Sequence, residues 1–161
     1  DAQWLRGFAA GKTLLGGSVR FFGGARTNVV SPAHANIARF QRIIDAVGVP
    51  EDVEVERCTP ANLAVQLQYR GGVEVHLDCR MGEGVKRHFE MALEFEEGMV
   101  RAEDGKVFLD GSQVELEART PLFEADQLAA SAAILDGQDS YISMEQILDG
   151  LGLADLVMGA S

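Results

Sequence analysis

Positive charge is scarce in this sequence: 14 lysines and arginines stand against 25 aspartates and glutamates, for a formal net charge of −11. A surface that acidic repels nucleic-acid backbones and anionic membranes, so neither is expected as a partner. Cysteine is nearly absent. Cys58 and Cys79 have no CxxC spacing and fall in strand-like runs, which reads as buried thiols in a reducing, cytoplasmic setting rather than a disulfide frame. No apolar run approaches the ~18 residues of a membrane span, and no signal-peptide pattern is visible. Internal repeats, linkers and low-complexity segments are also missing. So is the dinucleotide fingerprint GxGxxG. Gly16-Gly17 and Gly23-Gly24 bracket a strand-like run, but no βαβ unit follows and no acidic residue stands at the expected distance, so the pairs read as flexible turns at strand ends.

What is present suffices for one domain over 1–161. With 161 residues, 47% of them hydrophobic, the chain can bury a sizeable core. It opens at Asp1 without a methionine, which reads as part of something longer.

The most regular stretch is Ala61 to Glu117. Leu63, Val65, Leu67 and Tyr69 alternate with polar residues, as do Val73, Val75, Leu77 and Cys79, and then Phe89, Met91, Leu93 and Phe95. A one-residue slip would turn every side chain over, so the apolar faces fix the register. A three-residue loop at Arg70-Gly71-Gly72 pairs Leu67 with Val75 and Val65 with Leu77. A hairpin centred on Glu83 would pair Leu77 with Phe89 and Val75 with Met91, and set Asp78 by His88 and His76 by Glu90. Tight turns at Glu97-Gly98, Asp104-Gly105 and Asp110-Gly111 would pair Phe95 with Val100, Ala102 with Val107 and Val107 with Val114. The expected fold class is α+β: an open antiparallel sheet, mixed at its edge, of six or more strands with helices packed on one face.

Helices are expected around this sheet. Asp1 to Leu15 reads as a short, interrupted helix, and Ser18 to Phe22 as a strand. Ser31-Pro32 is a cap-then-proline start for a helix to about Val47, with Ile37, Phe40, Ile44 and Val47 as its apolar stripe and Gly48 as its stop. Val53 to Cys58 reads as an edge strand. Thr120-Pro121 repeats the cap-then-proline start, and Leu122 to Leu135 continues it as an alanine-rich face ended by Gly137. Ser143 and Gln146 have capping-box spacing, with Ile142 and Ile147 as a staple, for a last helix to about Met158 that Gly150 and Gly152 weaken.

The order of these elements resembles the C-terminal domain of the glucose–fructose oxidoreductase / inositol dehydrogenase / rhizopine-catabolism oxidoreductases. Trp4 to Phe22, with Leu15-Gly16-Gly17 before a strand, is similar to that domain's opening stretch. His34 at a helix start is similar to the family's Gly-Gly…Asp-x-Gly-x-His segment. Leu93 to Leu109 resembles its strand-Gly-strand region, and Pro121 to Gly137 with Ser143 to Ala160 its paired terminal helices. The resemblance implies hydride transfer between NAD or NADP and a hydroxyl of a sugar, polyol or similar small molecule. The cofactor would be held by a separate nucleotide-binding half, so this chain alone is expected to bind none and to be inactive. It also implies an open sheet face that serves as an oligomer interface. The family's aspartate four residues before the histidine is Val30 here.

His34 is the candidate catalytic residue, because removing hydride from an alcohol carbon needs a base for the hydroxyl proton. Arg26, Asn28 and Ser31 just before it could hydrogen-bond a polyol or carboxylate substrate, or else cap the helix. Glu74, His76, Asp78, His88 and Glu90 are ordinary zinc-ligand types, but the registers make them cross-strand ion pairs, and no metal is expected. With Gln66 and Gln68 they form the polar sheet face, the expected interface of a homo-oligomer.

Overall fold

The computed structural model describes residues 2–23, 32–116, 131–132, 134–135 and 143–160. Among these residues, helices α1 (Ala2–Ala9), α2 (Ile37–Val47) and α3 (Met144–Gly159) accompany an eight-stranded sheet. Its strands are β1 (Leu14–Gly23), β2 (Asp52–Cys58), β3 (Asn62–Tyr69), β4 (Val73–Met81), β5 (His88–Phe95), β6 (Gly98–Glu103), β7 (Lys106–Leu109) and β8 (Ser112–Val114), in the order β2-β3-β4-β1-β5-β6-β7-β8. The α+β class holds. So do the three-residue loop after Tyr69, the pairs Leu67–Val75 and Val65–Leu77, and the edge position of β2.

The expected β4–β5 hairpin is wrong. β1 lies between them, parallel to β4 and antiparallel to β5, so Leu77 and Met91 both face Val19 instead of Leu77 meeting Phe89. The mixed pairing is therefore at the centre of the sheet and not at its edge. An inserted strand of matching parity keeps every apolar residue on its side, so the alternation cannot reveal it. Residues 82–87 need only span two strand spacings, ~10 Å, well within the reach of six extended residues. β1 also corrects the reading of Gly16 and Gly17, which are not a turn. Both lie inside the strand, and Leu14 belongs to it too, because Gly11 with φ of 75° ends the α1 region early.

A second slip occurs at β5–β6. Phe95 faces Gly98 and Leu93 faces Val100, so Glu96-Glu97 makes the turn. Gly98 is used for close approach instead: a Cβ there would lie 2.8 Å from the Asp110 carboxylate, which accepts the Met99 N–H at 2.9 Å. The two Asp-Gly turns are as expected, with positive φ at Asp104, Gly105, Asp110 and Gly111.

The helices cover one face. Phe40, Ile43 and Ile44 of α2 and Leu153, Ala154 and Val157 of α3 are buried against Val19, Leu63, Val65, Leu67, Val75, Leu77, Cys79, Met91 and Leu93. From α1, Phe8 packs edge-on against Phe95. Tyr69 donates to the Gly48 carbonyl at 3.2 Å and ties β3 to the end of α2, where Gly48 has φ of 90°. α2 begins later than its cap-then-proline signal suggests. Pro32-Ala33 is a turn and His34–Asn36 a 3-10 turn, stapled by a 2.8 Å bond from Asn36 Nδ2 to the Pro32 carbonyl. The capping box is present: Gln146 N donates to Ser143 Oγ at 3.1 Å and Ser143 N to Gln146 Oε1 at 2.8 Å. Gly150 does not break α3. It lets Gln41 pack onto the helix, since a Cβ there would meet Gln41 Cγ at 2.6 Å. Residues 120–130, Gly137 and Ile142 lie outside the described residues; 131–132 and 134–135 are helical. Among the described residues no helix is long and apolar enough to cross a membrane.

Candidate functional site

His34 sits in the 3-10 turn at the entry to α2, and its ring turns toward α3. Its Nε2 lies 3.0 Å from Asp155 Oδ1, with side-chain exposures of 40% and 73%. A carboxylate that holds one ring nitrogen fixes how the imidazole is presented, the arrangement used when a histidine moves a substrate proton. The carboxylate beside His34 comes from the other end of the chain. No signal in the sequence marks Asp155: its partner is 121 residues away, and only the packing of α3 on α2 brings the two together. That packing is fixed by Gln146, whose Nε2 donates to Asp45 Oδ1 at 2.7 Å, and by the small Gly150 under Gln41. Asp155 also lines an open depression of about 440 Å³ between α3 and the edge of β2, together with Asp52, Val53, Gly152 and Leu156. Two residues after His34, the buried Asn36 leaves its Oδ1 without a hydrogen-bond partner. The expected substrate contacts Arg26, Asn28 and Ser31 lie outside the described residues.

The second feature is the sheet face turned away from the helices. The registers put Gln66, Gln68, Glu74, His76, Asp78, His88 and Glu90 on this one face. They do not pair as the hairpin predicted. Arg20 of the inserted strand separates Asp78 from Glu90 and binds Glu90 at 3.3 Å. Asp78 is held by Arg80 at 2.7 Å. His76 lies 3.8 Å from Glu74 and 4.0 Å from Glu56, and His88 Nδ1 lies 3.0 Å from Asp104. In the sequence Asp104 reads only as a turn residue, but its side chain reaches back to accept the Phe89 N–H at 2.9 Å. The hydrogen bond to Asp104 raises the His88 pKa above the ordinary imidazole value, against a smaller effect of desolvation. The Phe89 N–H, and next the His88 ring, lower that of Asp104. Among the described residues no group of three or more potential ligands could hold a metal ion. Two arginines on this face lie over phenylalanines: Arg80 at 5.2 Å from the Phe22 ring centre and Arg101 at 4.7 Å from that of Phe108.

The first glycine pair forms no phosphate cradle, and Gly24 of the second lies outside the described residues. Gly16 and Gly17 are paired on β1, and the space a Gly17 side chain would need is taken by the Ala92 carbonyl and the Leu93 methyl, each 2.7 Å away.

No family model matches the sequence, and no curated protein matches it. Solved structures do match. Biliverdin reductase from Synechocystis sp. PCC 6803, solved with biliverdin and NADP+, superposes with a TM-score of 0.80 at 19% identity over 99% of this chain and 58% of its own. UDP-N-acetylglucosamine 3-dehydrogenase from Acidithiobacillus ferrooxidans gives 0.80 at 13% identity over 98% of this chain and 56% of its own. Scyllo-inositol dehydrogenase from Lactobacillus casei, solved with NAD(H) and scyllo-inositol, gives 0.71 at 16% identity over 99% and 58%. The fold is that of the inositol and sugar dehydrogenases. This is the fold implied by the family resemblance, and the chain spans a little over half the length of these three proteins.

Proposed function

We propose that the chain is the substrate-side and assembly half of an NAD- or NADP-dependent oxidoreductase acting on a sugar, polyol or similar small molecule. The observation that carries this reading is the superposition of nearly the whole chain on just over half of several dehydrogenases, including one solved with NADP+ and one with NAD(H). A cofactor-dependent reaction then needs a nucleotide-binding domain beyond these residues, and the chain alone is inactive. His34 takes the proton from the substrate hydroxyl, Asp155 orients its ring, and Arg26, Asn28 and Ser31 contact the substrate.

The open sheet face serves assembly. At its centre Ser18 and Ala92 are small and directly paired, so a second copy can approach closely. Around them lie the Arg80–Phe22 and Arg101–Phe108 stacks and the exposed Met99, residue types enriched in protein interfaces. A two-fold axis over this face would bring Asp78 and Glu90 of one copy near His76, His88 or Arg80 of the other, a self-complementary pattern.

The test of the catalytic assignment is His34→Ala in a polypeptide that joins this chain to its nucleotide-binding domain. Turnover is expected to fall ~100-fold or more, as for loss of a general base. Thermal stability is expected to stay near that of the parent, because the ring is half exposed and Asp155, which it contacts, is an exposed carboxylate. Turnover within about threefold of the parent would remove His34 from the mechanism.

A further inference from the structure

We infer that two copies of this chain join through their open sheet faces about a two-fold axis that runs across the strands, midway between His76 and Asp78. Resting on the assembly role proposed above, this contact has a definite geometry because the strand registers set the open face in rows. One row holds Glu54, His76, Ser18, Ala92 and Arg101. The neighbouring row holds Arg57, Asp78, Arg20, Glu90 and Glu103. Glu74, Gly16 and Glu94 lie outside the first row, and Arg80, Phe22 and His88 outside the second. The sheet, eight strands at ~4.8 Å spacing, is roughly 35 Å wide. That leaves room for the ~800 Å² that each partner buries in a standard-size interface.

An axis between the two central rows lays each row of one copy on the other row of its mate. His76 then faces Asp78, Arg101 faces Glu103 and Glu54 faces Arg57 across the contact, while the outer rows bring Glu74 to Arg80 and Glu94 to His88. Symmetry repeats each pair, and none of them sets like charges together. Size matches as well as charge. The Arg20–Glu90 ion pair, 3.3 Å long, lies over the small Ser18 and Ala92 of the other copy, and the Phe22 ring lies over Gly16, where no side chain competes for the space. Other axes do worse. One that runs along the strands between β1 and β5 puts Arg101 over His76 and Glu103 over Asp78, and one that runs along either central row puts every charge over its own copy, arrangements in which like charges repel. A solvated face, the competing role, needs no such matching.

Charge reversal followed by analytical ultracentrifugation at low salt, where surface charges are least screened, tests the axis. The parent chain is expected to dimerise below ~100 micromolar. Arg101→Glu alone, or Glu103→Arg alone, sets like charges across the axis and should weaken the dimer about tenfold or more. The two substitutions together re-create both the contact and the 3.5 Å pair within the chain, and should bring the affinity back to within about threefold of the parent. Circular dichroism shows that each variant is folded. Should Arg101→Glu not fold, Glu103→Arg decides by sign: the axis proposed here weakens that dimer, whereas the axis along the strands would set the new arginine on Asp78 and tighten it. A dimer that neither single variant weakens, or that the double variant fails to restore, would overturn the axis and leave the assembly role standing. A parent that is monomeric at ~100 micromolar would overturn both.

Discussion

Gly16 and Gly17 are adjacent and chemically identical, yet the sheet predicts opposite outcomes for alanine at the two positions. Neither has the positive φ that reserves a position for glycine, so only space decides. At Gly17 a Cβ would stand 2.7 Å from Leu93 Cδ2 and 2.7 Å from the Ala92 carbonyl oxygen. The first distance is short of a relaxed carbon–carbon contact by roughly 1 Å. Leu93 is 1% exposed and cannot swing aside, and the carbonyl belongs to a paired strand, so the backbone must give. Overpacking of this kind costs about 1–3 kcal/mol, offset by about 0.5–1 kcal/mol from the reduced freedom of the unfolded chain. The net loss is about 1–2 kcal/mol, or a melting temperature lower by roughly 2–8 °C for a chain of this size. At Gly16 the nearest atom, the Glu74 carbonyl oxygen, is 3.5 Å away, an ordinary contact, and alanine there should be neutral or stabilising by up to about 1 kcal/mol. Thermal unfolding of the two variants beside the parent decides. Equal melting temperatures, or Gly17→Ala melting above the parent, would refute the placement of β1 between β4 and β5.

Two further outcomes concern the open face. His88 should titrate above 6.5 by NMR and return toward that value in Asp104→Asn, because Asp104 is the main cause of its raised pKa. The raised His88 value gives a contribution that is full below 6.5 and lost as pH rises through the folded-state value, while the lowered Asp104 value gives one that is full above 3.8 and lost as pH falls. The pair therefore supports this corner of the sheet most between those limits, and a His88 midpoint at or below 6.5 would contradict it. By light scattering the chain should have a dimeric or larger mass at ~10–100 micromolar, reduced by His76→Glu with His88→Glu, which add like charge to an acidic face; a monomer mass unchanged by the pair would reject the interface.

Much of this fold is legible in the residues because burial imposes a period of two on each strand. Leu63 to Tyr69 and Val73 to Cys79 announce their inward faces, and Arg70-Gly71-Gly72 and the Asp-Gly pairs set registers that the structure keeps. Neighbour choice is another matter. Val19 and Phe21 have the parity needed to sit beside either β4 or β5, so the insertion of β1 leaves no trace in the alternation. The site follows the same division. His34 stands out as a histidine at a helix entry. Asp155 does not, since an exposed acid on α3 is ordinary until helix packing brings it to the ring.

A substrate half whose cofactor is bound by residues outside it should not hold a dinucleotide by itself. Titration of NADH and NADPH, followed calorimetrically, into the chain alone and into a polypeptide that adds its nucleotide-binding domain tests this most directly. Micromolar binding of one dinucleotide by the longer polypeptide and none by the chain alone is the expected result; micromolar binding by the isolated chain, or none by the longer polypeptide, would overturn the proposed division of roles.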